Sequence, residues 1–217
     1  MTMPMAGVRA FVWKFTPLLV AGALVVALPT EGAAESSLAP PALVKLKGHL
    51  CVSTRLEGGF SKTITETITS GIPATFSYEI ELWRQRRRWK DKFIASKTLD
   101  RVVTFNSLTS EFKVTQKGSP GSWRRKSKHF KEVKDWVTRV DTLPLVTTTV
   151  LDPAKVYYVR VRAIMKTEPS SVLKKYVLYL NPFKEKTSWE VSKPFSLQDL
   201  ATFNASKPSS APSAASP

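Results

Sequence analysis

The sequence predicts an α+β fold that is mainly antiparallel β, a sheet or sandwich of about seven strands carrying two or three short helices. Three observations carry this expectation. Apolar and polar residues alternate with period two in several segments. Helical spacing of apolar residues is confined to short stretches. No regular strand–helix–strand succession, the mark of a parallel α/β fold, runs through the chain.

From Leu43 to Leu56 the even positions Val44, Leu46, Leu50, Val52 and Leu56 are apolar and the odd positions Lys45, Lys47, His49, Ser53 and Arg55 are polar, which predicts one strand with a wet face. Ser61 then caps a helix through Ser70, with Phe60, Ile64 and Ile68 at fourfold spacing and Gly71 as its stop. Alternation returns from Pro73 to Leu82, with Ala74, Phe76, Tyr78, Ile80 and Leu82 inward and Thr75, Ser77, Glu79 and Glu81 outward. Shorter strands are expected at Trp89–Lys97, Asp100–Asn106 and Glu111–Gln116, the last two joined by the hairpin-length loop Ser107-Leu108-Thr109-Ser110. Phe130, Val133, Val137 and Val140 predict a second helix across His129–Asp141, ending before Pro144. Lys155–Lys166 reads as a strand with Tyr157, Val159, Val161 and Ala163 on one face and Arg160 and Arg162 on the other. Ser171–Leu180 is a third helix or a strand, and Ser188–Phe195 closes the sheet.

The ends have a different character. Arg9 and Lys14 precede the unbroken apolar run Leu18–Leu28, which is about half the length a bilayer-spanning helix needs; Pro29, Gly32 and Ala34 follow. Residues 1–34 therefore read as a signal peptide cleaved between Ala34 and Glu35, the alternative being an uncleaved N-terminal membrane anchor. Residues 35–42 form a Pro-rich lead-in, residues 43–203 a single globular domain, and residues 204–217 a Ser/Ala/Pro tail too poor in large apolar residues to join a core. The mature chain holds no transmembrane span and is expected in the periplasm or outside the cell.

Of the 217 residues, 33 are Lys or Arg and 17 Asp or Glu, a net charge of +16; removing Arg9, Lys14 and Glu31 with the first 34 residues leaves +15. Such a charge favours contact with polyanions. Outside the cytoplasm these are phospholipid head groups, lipopolysaccharide phosphates or acidic polymers, and nucleic acid is not expected. The single cysteine, Cys51, excludes an internal disulfide and reads as a small packed residue.

Catalytic chemistry finds little foothold. No nucleophile elbow is present, and Gly118-Ser119-Pro120-Gly121 reads as a turn. His49 and Cys51 share a strand face, but no spacing supplies further metal ligands, so neither a metal nor a cofactor is expected. Glu79 and Glu81 fall about 7 Å apart on one strand face. Such a pair suits either acid–base hydrolysis of a glycan or plain cross-strand pairing with Lys and Arg. The most distinctive segment is Trp83-Arg84-Gln85-Arg86-Arg87-Arg88-Trp89-Lys90-Asp91-Lys92. Its guanidinium groups bind phosphate bidentately and its Trp rings anchor at interfaces. Arg84, Arg86, Arg87, Arg88, Trp89, Lys90 and Lys92 are thus the candidate anion-binding surface, joined by a second basic run, Arg124-Arg125-Lys126-Ser127-Lys128.

Several segments, taken in order, resemble one bacterial family, the domain of unknown function (DUF) 4390. They are Ser70-Gly71-Ile72-Pro73 with Thr75-Phe76, then Glu81-Leu82 with Arg84, Arg86 and Trp89, Asp141–Leu145, Tyr157–Ala163, and Thr187-Ser188-Trp189. The resemblance spans about residues 45–196. It implies a small exported protein of mostly Gram-negative bacteria, an accessory of the envelope or of a membrane signalling kinase, and it offers no catalytic residues to transfer. This chain departs from the pattern in having Arg87, Arg88 and Lys90 where aromatics often flank Trp89, and Glu168-Pro169-Ser170-Ser171 in place of a Leu-Pro segment.

The expected function is a non-enzymatic binding or accessory module touching anionic lipid, lipopolysaccharide or a membrane-protein partner. A hydrolase using Glu79 and Glu81, and an interaction scaffold using the apolar Val172–Leu180 segment, are the alternatives.

Overall fold

Eleven strands and three helices form in the computed structural model, which describes residues 36–118, 121–167 and 183–203. The strands are β1 (Ser37–Leu38), β2 (Ala42–Leu46), β3 (His49–Glu57), β4 (Ala74–Arg84), β5 (Lys92–Asn106), β6 (Glu111–Lys117), β7 (Trp123–Ser127), β8 (Arg139–Thr147), β9 (Tyr157–Thr167), β10 (Lys184–Lys186) and β11 (Glu190–Val191). The helices are α1 (Lys62–Thr69), α2 (Phe130–Thr138) and α3 (Leu197–Phe203). All strand pairs are antiparallel, so the α+β, mainly antiparallel expectation holds. The strand number rises from about seven to eleven because β1, β7, β8 and β10 had no expected counterpart, β1 and β10 being too short to show alternation.

A large sheet runs β10-β9-β4-β5-β6-β7, with β11 also on β9. Its centre is β4, where the read alternation is exact in burial: Ala74, Phe76, Tyr78, Ile80 and Leu82 are buried and the residues between them half-buried. A small sheet places β1 and β2 on one edge of β3 and β8 on the other. Together with α1 and α2 it covers the inner face of the large sheet, enclosing one core to which Leu50, Val52, Ile68, Phe76, Val137 and Val161 all belong.

Several boundaries differ from the sequence reading. The single strand expected over Leu43–Leu56 is a hairpin turning at Lys47 and Gly48, whose φ angles of 48° and 76° are those of a two-residue primed turn. The turn reverses the parity: Val44 pairs with Cys51 and Leu46 with His49, so Val44 and Leu46 do not share the buried face of Leu50 and Val52. The Pro-rich lead-in contributes β1 and buries Leu38. The strands expected at Trp89–Lys97 and Asp100–Asn106 are one strand, β5, starting only at Lys92. The second helix stops at Thr138, and its expected last residues open β8, an edge strand in which Pro144 is tolerated because its missing N–H faces no further strand. The segment Ser171–Leu180 and the expected signal peptide and tail lie outside the described residues.

The two longer-read helices are held in different ways. The Ser61 hydroxyl accepts from the Ile64 N–H at 3.3 Å, and Gly71 at φ 85° ends α1 as expected. Ile64 and Ile68 are fully buried, each contributing about 1.5–3 kcal/mol relative to exposure. A chain of rings, Phe76–Phe60–Phe130–Phe112–Phe105, with centroids 4.6–5.4 Å apart, ties the start of α1 and α2 to the large sheet. The C-terminal end of α2 is anchored differently, by polar groups from below: the buried Tyr78 hydroxyl donates to the Val137 carbonyl at 2.7 Å.

Burial raises the Tyr78 phenol above its ordinary value of 10.0. A raised folded value means the contribution to stability is whole below about pH 10 and is lost as pH climbs through the folded value, since the unfolded chain gives up that proton first. Tyr78→Phe is therefore expected to lose about 1 kcal/mol in urea unfolding at neutral pH, yet to weaken less than the parent above pH 10. An alkaline slope equal to the parent's would contradict this account.

Candidate functional site

The predicted basic segment forms the β4–β5 hairpin. Arg84 ends β4 opposite Lys92 and is half-buried; Arg86, Arg87, Arg88, Lys90 and Lys92 are exposed, and Trp89 is 80% exposed. Asp91 organises the loop, accepting from the Arg86 N–H at 2.9 Å and from the Tyr158 hydroxyl at 3.0 Å. Among the described residues no carboxylate pairs with the side chains of Arg84, Arg86, Arg87 or Arg88. The hairpin tip is thus a cluster of unneutralised cations around one exposed indole.

The second basic run does not join it. Arg125 on β7 pairs with Val114, which pairs with Val103, eleven residues along β5 from Lys92. At about 3.3 Å per residue the two runs lie on the order of 35 Å apart, which corrects the expectation of one continuous anion-binding surface. Within that run Lys126 pairs with Glu111 at 3.8 Å, while Arg125 turns to a cleft described below.

Glu79 and Glu81 sit on the outer face of β4 and face Arg162 and Arg160 directly across to β9. Glu79 accepts from the Nε and Nη2 of Arg162 at 2.6 Å, and Glu81 from those of Arg160 at 2.7 Å and from the Trp83 indole N–H at 2.7 Å. The Arg160 guanidinium lies 4.6 Å from the Trp83 ring and 4.5 Å from the Trp189 ring, and that of Arg162 lies 4.4 Å from Trp189. Three segments that carry the family resemblance, Glu81-Leu82, Tyr157–Ala163 and Thr187-Ser188-Trp189, meet in this ladder. Neither carboxylate lines a cavity that the structure shows. Both are spent on cross-strand pairing, which gives the hydrolase alternative no geometric support.

Cys51 is 3% exposed, and desolvation raises its thiol above the ordinary value, keeping it protonated. The His49 Nδ1 lies 3.1 Å from the Lys47 carbonyl oxygen. No group of three or more metal-ligating side chains occurs among the described residues. No helix among them is long and apolar enough to cross a membrane.

What sequence reading missed is a cleft of about 650 Å³ where β5, β6 and β7 meet α2 and β8. Arg101, at an inward position of β5 between Leu99 and Val103, forms its floor and is 6% exposed. Its Nε donates to Gln116 Oε1 at 3.0 Å, and its Nη1 to the carbonyls of Val137, at 3.1 Å, and Arg139. Gln116 is held in turn by the Gly121 carbonyl. Desolvation lowers the Arg101 value, with Tyr78 and Asp141 opposing that shift and Arg125 adding to it. The Trp123 ring lies 5.9 Å from the Arg101 guanidinium and 4.9 Å from that of Arg125, which is also 5.6 Å from Trp136. Thr142, in the wall between Asp141 and Leu143, has φ 50° and gives its N–H to Ser53 Oγ at 2.9 Å. A β-branched residue in that region is strained, and the bulge it makes puts both neighbours on the cleft. One signal was readable: an arginine at an inward position of an otherwise apolar alternation.

A family model described as a domain of unknown function (DUF4390) matches residues 34–193, and the chain belongs to that family. No curated protein and no solved structure matches it.

The ladder yields a measurable coupling. Its pairs are about one-third exposed or less, so a double-mutant cycle on Glu79→Ala and Arg162→Ala should return about 1 kcal/mol after allowance for solvent screening. Arg162→Ala alone is expected to cost more than Glu79→Ala, because it also removes the contact with Trp189, and it should shift tryptophan emission. Equal single costs with unchanged emission would contradict the stacking.

Proposed function

We propose that this member of the DUF4390 family is an exported, non-enzymatic binding module that docks on an anionic envelope surface through its β4–β5 hairpin. The observation that carries the reading is the hairpin tip: Arg86, Arg87 and Arg88 without carboxylate partners among the described residues, beside an indole 80% exposed. An exposed Trp costs free energy in water, whereas its amphipathic ring is at home at the level of lipid head groups. Each guanidinium near an anionic leaflet adds about 1 kcal/mol, falling off within a Debye length. The net charge of +15 outside residues 1–34 steers the whole chain to such a surface.

Export supplies the setting. The short apolar run Leu18–Leu28 and the small residues Gly32 and Ala34 support cleavage before Glu35. Mass spectrometry of the protein recovered from a bacterial periplasm is expected to find a chain starting at Glu35. A chain retaining Met1 and sedimenting with membranes would favour the anchored form instead.

Binding of the chain lacking residues 1–34 to vesicles of phosphatidylglycerol and phosphatidylcholine should weaken at least ~10-fold between low and moderate salt. Changing Arg86, Arg87 and Arg88 together to Ala should weaken it on the order of 100-fold, and Trp89 emission should shift to the blue on binding. Salt-independent binding, or binding untouched by the triple change, would remove the proposal.

A further inference from the structure

The cleft beside α2 is independent of the hairpin, and its side chains define a narrower chemistry than attraction to a charged surface. We propose that it is a binding site for an anionic sugar, a pyranose unit carrying a carboxylate or a phosphate, whose acid group is taken by Arg101 and Arg125.

Two cations in the cleft have no carboxylate partner among the described residues. Arg101 uses Nε and Nη1 on Gln116 and on the carbonyls of Val137 and Arg139, leaving Nη2 without an acceptor among the described residues. Arg125 makes no ion pair and is held by Trp123 and Trp136. A buried guanidinium solvated only by carbonyls and a side-chain amide keeps its full charge, so an incoming anion meets an uncompensated field in a partly dry site. Gln116 and the two carbonyls fix Arg101 before any ligand arrives, which removes much of the ordering cost of binding.

The remaining groups select among anions. Asp141 and Asp135 also line the cleft, paired with Arg139 at 3.7 Å and Arg55 at 3.3 Å. Carboxylates at the wall repel a polyphosphate or nucleic-acid backbone but accept hydrogen bonds from hydroxyl groups. The Trp123 and Trp136 rings line the same cleft and offer apolar faces to a sugar ring. One acid group surrounded by hydroxyls matches this mixture, and the cavity of about 650 Å³ is large for a lone inorganic ion and in the range of small-molecule sites. The guanidinium groups of Arg101 and Arg125 already lie against Trp123, which leaves little room for a stacked nucleobase.

The test uses the chain lacking residues 1–34 and tryptophan fluorescence, with trigalacturonate as the carboxylate probe and a hexose phosphate as the phosphate probe. Maltotriose, inorganic phosphate and adenosine monophosphate are the controls. Saturable binding of either acidic sugar is expected, with maltotriose and inorganic phosphate at least ~10-fold weaker. Arg125→Ala, at an exposed strand position where the chain should still fold with a small fall in melting temperature, is expected to weaken the acidic sugar about 10-fold or more. Changing Arg86, Arg87 and Arg88 to Ala should not affect it, so this site and the hairpin fail or succeed separately. The proposal is overturned if neither acidic sugar binds, if maltotriose, inorganic phosphate or the nucleotide binds as tightly, or if Arg125→Ala has no effect.

Discussion

A positive charge inside the core, Arg101, is the constraint around which one half of the molecule is arranged. Strand pairing puts its side chain on the same face as Leu99 and Val103, and an unsolvated guanidinium there would cost several kcal/mol. The fold solvates it with the carbonyl end of α2, where the helix dipole is negative and the last carbonyls have no intrahelical partners. Helix end and cation thus satisfy each other. The Tyr78 hydroxyl adds a second donor to the Val137 carbonyl, and its ring lies 5.9 Å from the guanidinium. Because α2 passes directly into β8, fixing that carbonyl end also sets where the small sheet meets the large one. Lys97, two turns of the pleat earlier on β5, repeats the device on the Pro144 carbonyl of β8, and burial lowers its value as it does that of Arg101.

The opposite edge is organised by hydroxyl groups. The segment after Phe183 runs along β9 but pairs with it only through the short β10 and β11 and a bridge at Phe195. Between those points Thr187 and Ser192 accept from the N–H groups of Ala163 and Val159 while giving their own N–H groups to the carbonyls of the same residues. A side-chain oxygen replaces a backbone carbonyl, so the edge is satisfied without a regular ladder. Trp189 lies between these two hydroxyl contacts in sequence and stacks on Arg160 and Arg162. Edge closure and outer ladder are therefore one structure.

These particulars explain what could be read from sequence and what could not. β4 and β9 were legible because a central strand with one buried face obeys period two along its whole length. α1 was legible because Ser61 and Gly71 do at its ends what their chemistry favours. β7 was not, because an edge strand made of Arg124, Arg125 and Lys126 has no apolar face to alternate. The hairpin at Lys47-Gly48 was hidden by a coincidence of parity, since β2 is half exposed and its pattern ran on into that of β3. The pairing of Glu79 and Glu81 with arginines was foreseen as one of two uses, and only register could choose between them. The cleft needed three-dimensional information: Arg101, Arg125 and Trp136 are apart in sequence and meet because β5, β7 and α2 do.

The positive charge is consequently not a uniform coat. Arg160 and Arg162 are neutralised by Glu81 and Glu79 on the sheet face, Lys126 by Glu111, and Arg139 by Asp141. Among the described cations without a carboxylate partner, two groups stand out for their opposite character. At the hairpin the cations are exposed and screened by salt, which suits a broad anionic surface and gives little chemical selectivity. In the cleft one guanidinium is buried and locked by Gln116, the other is clamped by two indoles, and acceptors stand beside them. Screening reaches the buried Arg101 poorly, and its fixed donors distinguish ligands by shape as well as by charge. A chain that merely needed solubility would have no reason to place an arginine in its core and then set a helix end, an amide and the Trp123 indole around it; the arrangement is intelligible if the buried charge is held ready for an anion.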